Sequence, residues 1–460
     1  MHFHFLGICG TLMGSVAAAL KERGHTVTGS DDGIYPPMST FLAARGIVIQ
    51  SPFSPANLPP DADMIIIGNA MSRGNPEVEE VLNRKLPYIS LPEALRTHFL
   101  GGKRNFVVTG THGKTTTSAL LAWMLERAGR NPNYLIGGIP ANLGQGARFT
   151  DSELCVLEGD EYDTAFFDKR SKFVHYLPEC VIINNLEFDH ADIFRDVDEI
   201  ILSFMRLVNI VPKNGLILVN PDDPNVARAV AKSPAPLLPV GLTATGDGQI
   251  QDITYGESET SFSVFGGRFT MPLGGEFNVR NAAMAIGAAR FAGLTIDEIR
   301  AALASFAGVK RRQEMRGEEN GIAVMDDFGH HPTAIAETLA GLRRQRHAGR
   351  IWAIFEPRSN TTRRKFFQQS LPAAFAQADG VILAQVARLD QLPEADRLNP
   401  ERVVADIAAT GRPAFYEMDT ATIVHRAKSL ARPGDLVVVF SNGGFDGIHA
   451  KLLDAFKASG

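Results

Sequence analysis

The chain has 460 residues, 45% of them hydrophobic and 21% charged, with a formal net charge of −5. This composition excludes a disordered or collagen-like chain, and the near balance of charge argues against a dedicated nucleic-acid binder, which needs a basic face. At ~150 residues per domain the length implies about three domains. Cys9, Cys155 and Cys180 form no CxxC pair, so neither a zinc ribbon nor a disulfide framework is indicated. A reducing, cytoplasmic setting is expected. No run of about 18 apolar residues is present to span a bilayer. The opening MHFHFLGICGTLMGSVAAAL lacks the basic start of a secretory leader and carries glycines where a leader is aliphatic, so it reads as strand, turn and helix.

Short apolar strands then alternate with amphipathic helices, the pattern of parallel sheets in an α/β architecture. Residues 1–102 form a first, Rossmann-like block. Its strands are expected at His2–Leu6, Thr26–Ser30 and Met64–Gly68, and its helices at Thr11–Arg23, Pro76–Asn83 and Leu91–Phe99. Residues 103–309 form a central P-loop block with a mostly parallel sheet. Strands are expected at Asn105–Thr109, Leu154–Glu158, Val181–Asn184 and Leu216–Val219, with a helix from about Lys114. Residues 247–270 read as an antiparallel insertion, and Asn278–Ala292 as a return to helix. Residues 310–460 form a second Rossmann-like block, with strands at Ala323–Asp326, Ile351–Phe355, Val381–Leu383 and Leu436–Phe440.

The strongest chemical signal is GTHGKTTT, Gly110 to Thr117, directly after a strand. Glycines let backbone N–H groups converge on a triphosphate, and the following helix adds a partial positive charge. Lys114 is placed to neutralise phosphate oxygens, and the Thr115 hydroxyl to bind Mg²⁺. Only Thr111 and His112 separate the two glycines, a tighter spacing than the usual phosphate loop. LEGDEYD ends a strand with carboxylates; Glu158, which closes the apolar run, is the favoured metal ligand over Asp160, Glu161 and Asp163, the alternative being a solvated acidic loop. INNLEFDH offers His190 for a second Mg²⁺ or a phosphate, against the commoner role of a packed histidine.

GICGTLMG, with Asp31 about 20 residues on, is a βα turn that could place amides on a pyrophosphate but is not GxGxxG. DDFGHHPT gathers two acids and two imidazoles for ribose, phosphate or metal. Zinc lacks a third ligand nearby in the sequence, and a polar turn before a helix fits as well. EPRSNTTRR supplies Arg358, Arg363 and Arg364, which could clamp carboxylates or form a solvated basic turn.

Together and in this order, GTHGKTTT, EGDEYD, INNLEFDH, FNVRN, KRRQE and DDFGHHPT resemble the Mur ligases over nearly the whole chain. The resemblance implies ATP-dependent amide formation with Mg²⁺. It assigns ATP to Gly110, Thr111, His112, Gly113, Lys114, Thr115, Thr116, Asn278, Asn281, Arg312 and Asp327. It assigns Mg²⁺ to Thr115, Glu158 and His190, with Lys114, Glu158 and His190 as the catalytic set. The UDP-sugar falls to Gly7, Gly10, Thr11, Asp31 and Ser72, with its pyrophosphate at the Gly7–Gly14 turn, and peptide carboxylates to Arg358 and Arg363. Phe277 stands where a histidine is often found. No Lys lies between Asp192 and Pro212, so the carbamylated lysine of some members is absent. Two branches fit. One adds L-alanine to UDP-N-acetylmuramate; the other attaches the tripeptide L-alanyl-γ-D-glutamyl-meso-diaminopimelate to the same nucleotide sugar. GICGTLMG, LEFDHADIF, EYDTAFFDKRSKF and EPRSNTTR resemble the second branch more, although Thr362 departs from an expected Met. Rivals of another class are a P-loop ATPase switching a partner and a non-catalytic nucleotide-binding regulator.

Overall fold

The computed structural model describes residues 1–34, 38–345 and 349–458. It contains three main sheets with helices on both faces. The first has five parallel strands in the order Ile49–Gln50, Thr26–Ser30, His2–Leu6, Met64–Ile67 and Tyr88–Ser90. The central sheet has seven strands in the order Leu237–Pro239, Leu216–Val219, Pro178–Ile183, Arg104–Thr109, Leu154–Glu158, Asn133–Leu135 and Ala147–Arg148. Only the last is antiparallel. Gln251–Tyr255, Thr260–Val264 and Gly267–Met271 form the antiparallel insertion as a separate sheet. The C-terminal sheet has six strands, ordered Glu314–Glu319, Ile322–Asp327, Leu436–Phe440, Ile351–Phe355, Gly380–Ala384 and Ala414–Glu417.

The central strands are apolar on both faces because both faces are covered. Val107, Leu157, Val181 and Ile183 point to one side and share a buried cluster with Phe3, Phe5, Leu95 and Phe99 of the first sheet and its helices. Phe106, Val108, Val156 and Ile182 point to the other, against the helices Lys114–Arg127 and Glu276–Phe291. The first and central sheets thus have one continuous core. No buried hydrophobic cluster among the described residues joins the central and C-terminal sheets.

The expected strands and helices are present, with shifted ends. The helix expected over Leu91–Phe99 is α-helical only to Leu95 and then widens into a π turn, Arg96–Leu100. Two C-terminal strands have no expectation behind them. Glu314–Glu319 has the polar sequence EMRGEE and pairs antiparallel at an edge, where side chains need no apolar alternation. Ala414–Glu417 is the four-residue opposite edge.

A short hairpin, Asp163–Ala165 with Asp168–Ser171, leaves the strand that ends at Glu158. Asp168 closes it, accepting from Arg170 Nε at 2.9 Å and Nη2 at 2.8 Å and lying 2.9 Å from His175 Nε2. Burial would raise the Asp168 pKa, but the Arg170 bonds outweigh it and hold the carboxyl at about 2. A folded-state pKa below the unfolded value of about 3.9 stabilises the fold above that pH and is lost as pH falls toward 2. Asp168→Asn should therefore flatten the fall in stability between about pH 4 and pH 2 and leave its shape at neutral pH unaltered, as read from denaturant midpoints across that range.

Candidate active site

The carboxyl ends of the central strands open onto a cleft of 630 Å³, which the C-terminal sheet faces from across the gap. The loop after Thr109 turns through Gly110 (φ +127°) and Gly113 (φ +79°) into the helix Lys114–Arg127. Glycine at 113 is required twice: the backbone is left-handed, and a Cβ would lie 2.2 Å from Asn281 Oδ1. The loop therefore packs directly against the helix carrying Asn278 and Asn281. Thr111, His112, Gly113, Lys114, Thr115 and Thr116 line the cleft, with Gly110 beneath them. The loop is braced by its neighbour: His112 N–H donates to Asn185 Oδ1 at 2.8 Å, and Thr111 N–H to the Asn185 carbonyl at 3.1 Å.

Lys114 bends back over the loop, donating 2.8 Å to the Gly110 carbonyl and 2.8 Å to Glu161 Oε2. Burial alone would lower its pKa; Glu161, then Asp160, overrides that and raises it. Glu161, only 2% exposed, is held at about 2 against its own desolvation by Lys114 and His190. His190 Nε2 lies 3.4 Å from Glu161 Oε1, so one carboxylate bridges both expected cationic groups. His190 itself sits at φ +55°, a strained conformation for a residue with a Cβ, fixed by its N–H donating to Asp189 Oδ1 at 2.7 Å.

Thr115 Oγ1 donates to Glu158 Oε1 at 2.9 Å, and the Gly137 amide donates to Oε2 at 2.7 Å. Burial, then Asp160, raises the Glu158 pKa. Arg312 Nη2 lies 3.3 Å from Thr115 Oγ1 and its guanidinium stacks on Phe328. Asp327 is already engaged by two amides, Gly329 N–H at 2.7 Å and Gln313 N–H at 3.0 Å, so it shapes the turn as well as facing the cleft. Asn278 donates to the Gly274 carbonyl at 2.7 Å. Phe277 also lines the cleft.

The first domain reaches the cleft through Thr11 and Leu12. Gly10 caps the helix Thr11–Glu22, and Gly7 turns at φ +82°. Asp31 does not face the cleft: its carboxylate accepts from Cys9 N–H and Gly33 N–H, both at 2.8 Å, and so stiffens the Gly7–Gly14 turn. Ser72 lies on an exposed turn before the helix Pro76–Asn83. Of the arginines, Arg358 lines the cleft, whereas Arg363 is 6% exposed and its guanidinium donates to Asn360 Oδ1 at 2.7 Å and the Arg388 carbonyl at 3.0 Å. Arg363 braces the loop and Arg388 takes a place on the wall.

Sequence reasoning passed over Glu161 in favour of Glu158 and did not reach Asp189, Glu187, Thr361 or Arg388. Asp189 Oδ1 accepts from Thr361 Oγ1 at 2.6 Å, and Thr361 Oγ1 accepts from Ala191 N–H at 3.2 Å. Asn360 donates to Asp192 Oδ2 at 2.7 Å. These bonds fasten the C-terminal loop carrying Arg358 to the loop carrying His190. His330 and Thr361 hold Asp189 well below the carboxylate range in spite of its burial. The signal available in sequence was the density of short polar residues in both loops.

Family models cover the chain in three segments: the Mur ligase family catalytic domain at residues 2–101, the Mur ligase middle domain at 108–289, and the Mur ligase glutamate ligase domain at 311–443. The UDP-N-acetylmuramate–L-alanyl-γ-D-glutamyl-meso-2,6-diaminoheptandioate ligase of Escherichia coli strain K12 is 44% identical over 99% of this chain and 98% of its own length. The UDP-N-acetylmuramate–L-alanine ligase of Rubrobacter xylanophilus is 32% identical over 98% and 99%. The crystal structure of a murein peptide ligase from Psychrobacter arcticus 273-4 matches with a TM-score of 0.74 at 37% identity, covering 99% of both chains.

Thr361→Val keeps the shape of a fully buried side chain but removes the donor to a buried carboxylate. It should lower unfolding free energy by about 1–3 kcal/mol in urea titration; an unchanged midpoint would mean that the two loops are not held through Asp189.

Proposed function

This chain belongs to the Mur ligase family, a family of ATP-dependent ligases, and on that premise we propose that it joins UDP-N-acetylmuramate to L-alanyl-γ-D-glutamyl-meso-diaminopimelate. The observation that carries the reading is the wall opposite Lys114. Arg388 has no carboxylate within ion-pairing distance among the described residues, and Arg358 reaches only Glu356, at 3.6 Å. Both also line an adjoining cavity of 520 Å³. A cavity of that size, with two guanidinium groups and the acids Glu356, Asp390, Asp419 and Asp446 on its wall, suits a peptide that carries both carboxylates and amines. Free L-alanine, the substrate of the alternative reading, has one carboxylate and would leave most of it empty.

The lactyl carboxylate of the sugar is a poor acylating agent. Its oxygen attacks the γ-phosphorus of ATP, ADP leaves, and the acyl phosphate so formed has a good leaving group. The amine of the peptide then attacks the acyl carbon, and the tetrahedral intermediate collapses to amide and phosphate. Charge gathers on the transferred phosphoryl group, so positioning and electrostatics supply most of the rate. The loop amides and the N-terminus of the helix Lys114–Arg127 cradle the phosphates, and Lys114 exchanges Glu161 for phosphate oxygens. Arg312 lies beside Thr115 to reach the same phosphates. Asn278, Asn281 and Phe277 form the base-binding side. Thr11 and the turn at Gly7 and Gly10, stiffened by Asp31, present amides to the UDP pyrophosphate, with Ser72 on the same sheet end.

Thr115 Oγ1 and Glu158 Oε1 are a hard-oxygen pair 2.9 Å apart, and burial, then Asp160, raises the Glu158 pKa; this oxygen donor set fits Mg²⁺. When bound there, Mg²⁺ supplies neutralisation of phosphate charge; His190 is the candidate at a second position. The three cysteines are all free, and no described helix is long and apolar enough to cross a membrane. Both accord with a cytoplasmic reaction on small-molecule substrates.

The test is to supply UDP-N-acetylmuramate and ATP with either free alanine or the tripeptide and weigh the product. A tripeptide adduct is expected; an alanine adduct alone would overturn the reading. Lys114→Ala should lower kcat by at least roughly 10²–10³-fold with an unchanged circular dichroism spectrum. Glu158→Ala should raise the Mg²⁺ concentration needed for half-maximal turnover, and an unaltered requirement would remove it from the metal site.

A further inference from the structure

The histidine pair before the helix Pro332–Gln345 lacks a third metal ligand in sequence, but the fold brings two. His112 from the phosphate loop, Glu187 from the loop after Pro178–Ile183 and His331 from the C-terminal sheet each offer one ligand atom, all within 4.8 Å of one another. His112 Nε2 lies 2.7 Å from Glu187 Oε2, and His331 Nδ1 lies 3.4 Å from the same oxygen. We infer that these three residues form a binding site for a transition-metal dication of the zinc class, separate from the Mg²⁺ positions and bridging the phosphate loop to the C-terminal domain.

Their surroundings have the form of ligand-orienting contacts. A metal-bound histidine usually donates its other ring N–H to a backbone carbonyl, which fixes the tautomer. His331 Nε2 lies 3.3 Å from the Phe188 carbonyl, which leaves Nδ1 as the lone-pair side toward Glu187. Glu187 Oε1 is occupied by Thr333 Oγ1 at 3.0 Å, leaving Oε2 for the ion. His112 is fixed by its own amide on Asn185. The Thr333 amide, which donates to His331 Nδ1 at 3.2 Å, is the contact a cation would replace. His112, Glu187 and Thr333 also line a second cavity of 340 Å³, so a fourth coordination position opens to water. Two imidazoles and one carboxylate suit zinc or cobalt, whereas Mg²⁺ prefers oxygen alone. The other such group, Glu93, Asp168 and His175, is closed, because both oxygens of Asp168 are held by Arg170.

A dication here would add one more tie between two domains already joined by the Arg280–Glu337 ion pair and the Phe188–Phe366 ring contact, and so slow their separation. The site is independent of which peptide is joined. The full-length chain, stripped with chelator and held in excess Mg²⁺, is titrated with zinc alone by calorimetry and with cobalt alone by visible absorption. One tight equivalent is expected, with the intense absorption of four-coordinate cobalt. His331→Asn and Glu187→Gln should each weaken it at least ~10-fold, while His175→Asn should leave it unchanged. Absence of a tight equivalent, equal binding by His331→Asn and Glu187→Gln, or loss on His175→Asn would overturn the assignment. A thermal melt of each variant separates loss of a ligand from loss of fold.

Discussion

A lysine taken out of water must be given an anion, and the centre of this molecule is built on that requirement. Lys114 lies close under its own glycine loop, on the Gly110 carbonyl. Buried there without a counter-charge it would give up its proton. Glu161 prevents that, and because its second oxygen faces His190, the same carboxylate sets the distance between the phosphate loop and the loop after Pro178–Ile183. Burial opposes the Glu161 charge, and Lys114, then His190, favour it.

From that centre the constraint spreads outward through backbone geometry. Gly113 lets the helix of Asn278 and Asn281 approach the loop directly, and Asp189 both strains His190 into place and holds Thr361. Lys114, Asn278 with Asn281, and Arg358, all lining the cleft, come from three distant stretches of chain. They are set relative to one another by a handful of short polar contacts, with Arg363 bracing the far loop from within.

Much of this was legible in the sequence. Strands buried on both faces write themselves as apolar runs, so the parallel sheets and the strand leading into Gly110 stood out. Lys114 and Thr115 follow from local spacing alone. What escaped is what depends on the chain turning back. In EGDEYD four carboxylates lie within six residues, and only the fold decides that Glu158 meets Thr115 while Glu161 meets Lys114. Arg363 looked like a substrate clamp because the sequence does not say that its guanidinium is spent on a carbonyl. The resemblance matches Asp31 to the UDP-sugar cradle, yet its carboxylate accepts from Gly33 N–H of its own turn and Cys9 N–H of the Gly7–Gly14 turn. The edge strand Glu314–Glu319 carries no apolar alternation because none of its six residues is buried on either face.

The first and central sheets have one apolar interior in common, whereas among the described residues the C-terminal sheet meets them without any shared buried cluster. That seam is held instead by the Arg280–Glu337 ion pair, the Asp189–Thr361 hydrogen bond and the Phe188–Phe366 ring contact. Separation there would break such contacts and leave the interior shared by the other two units closed.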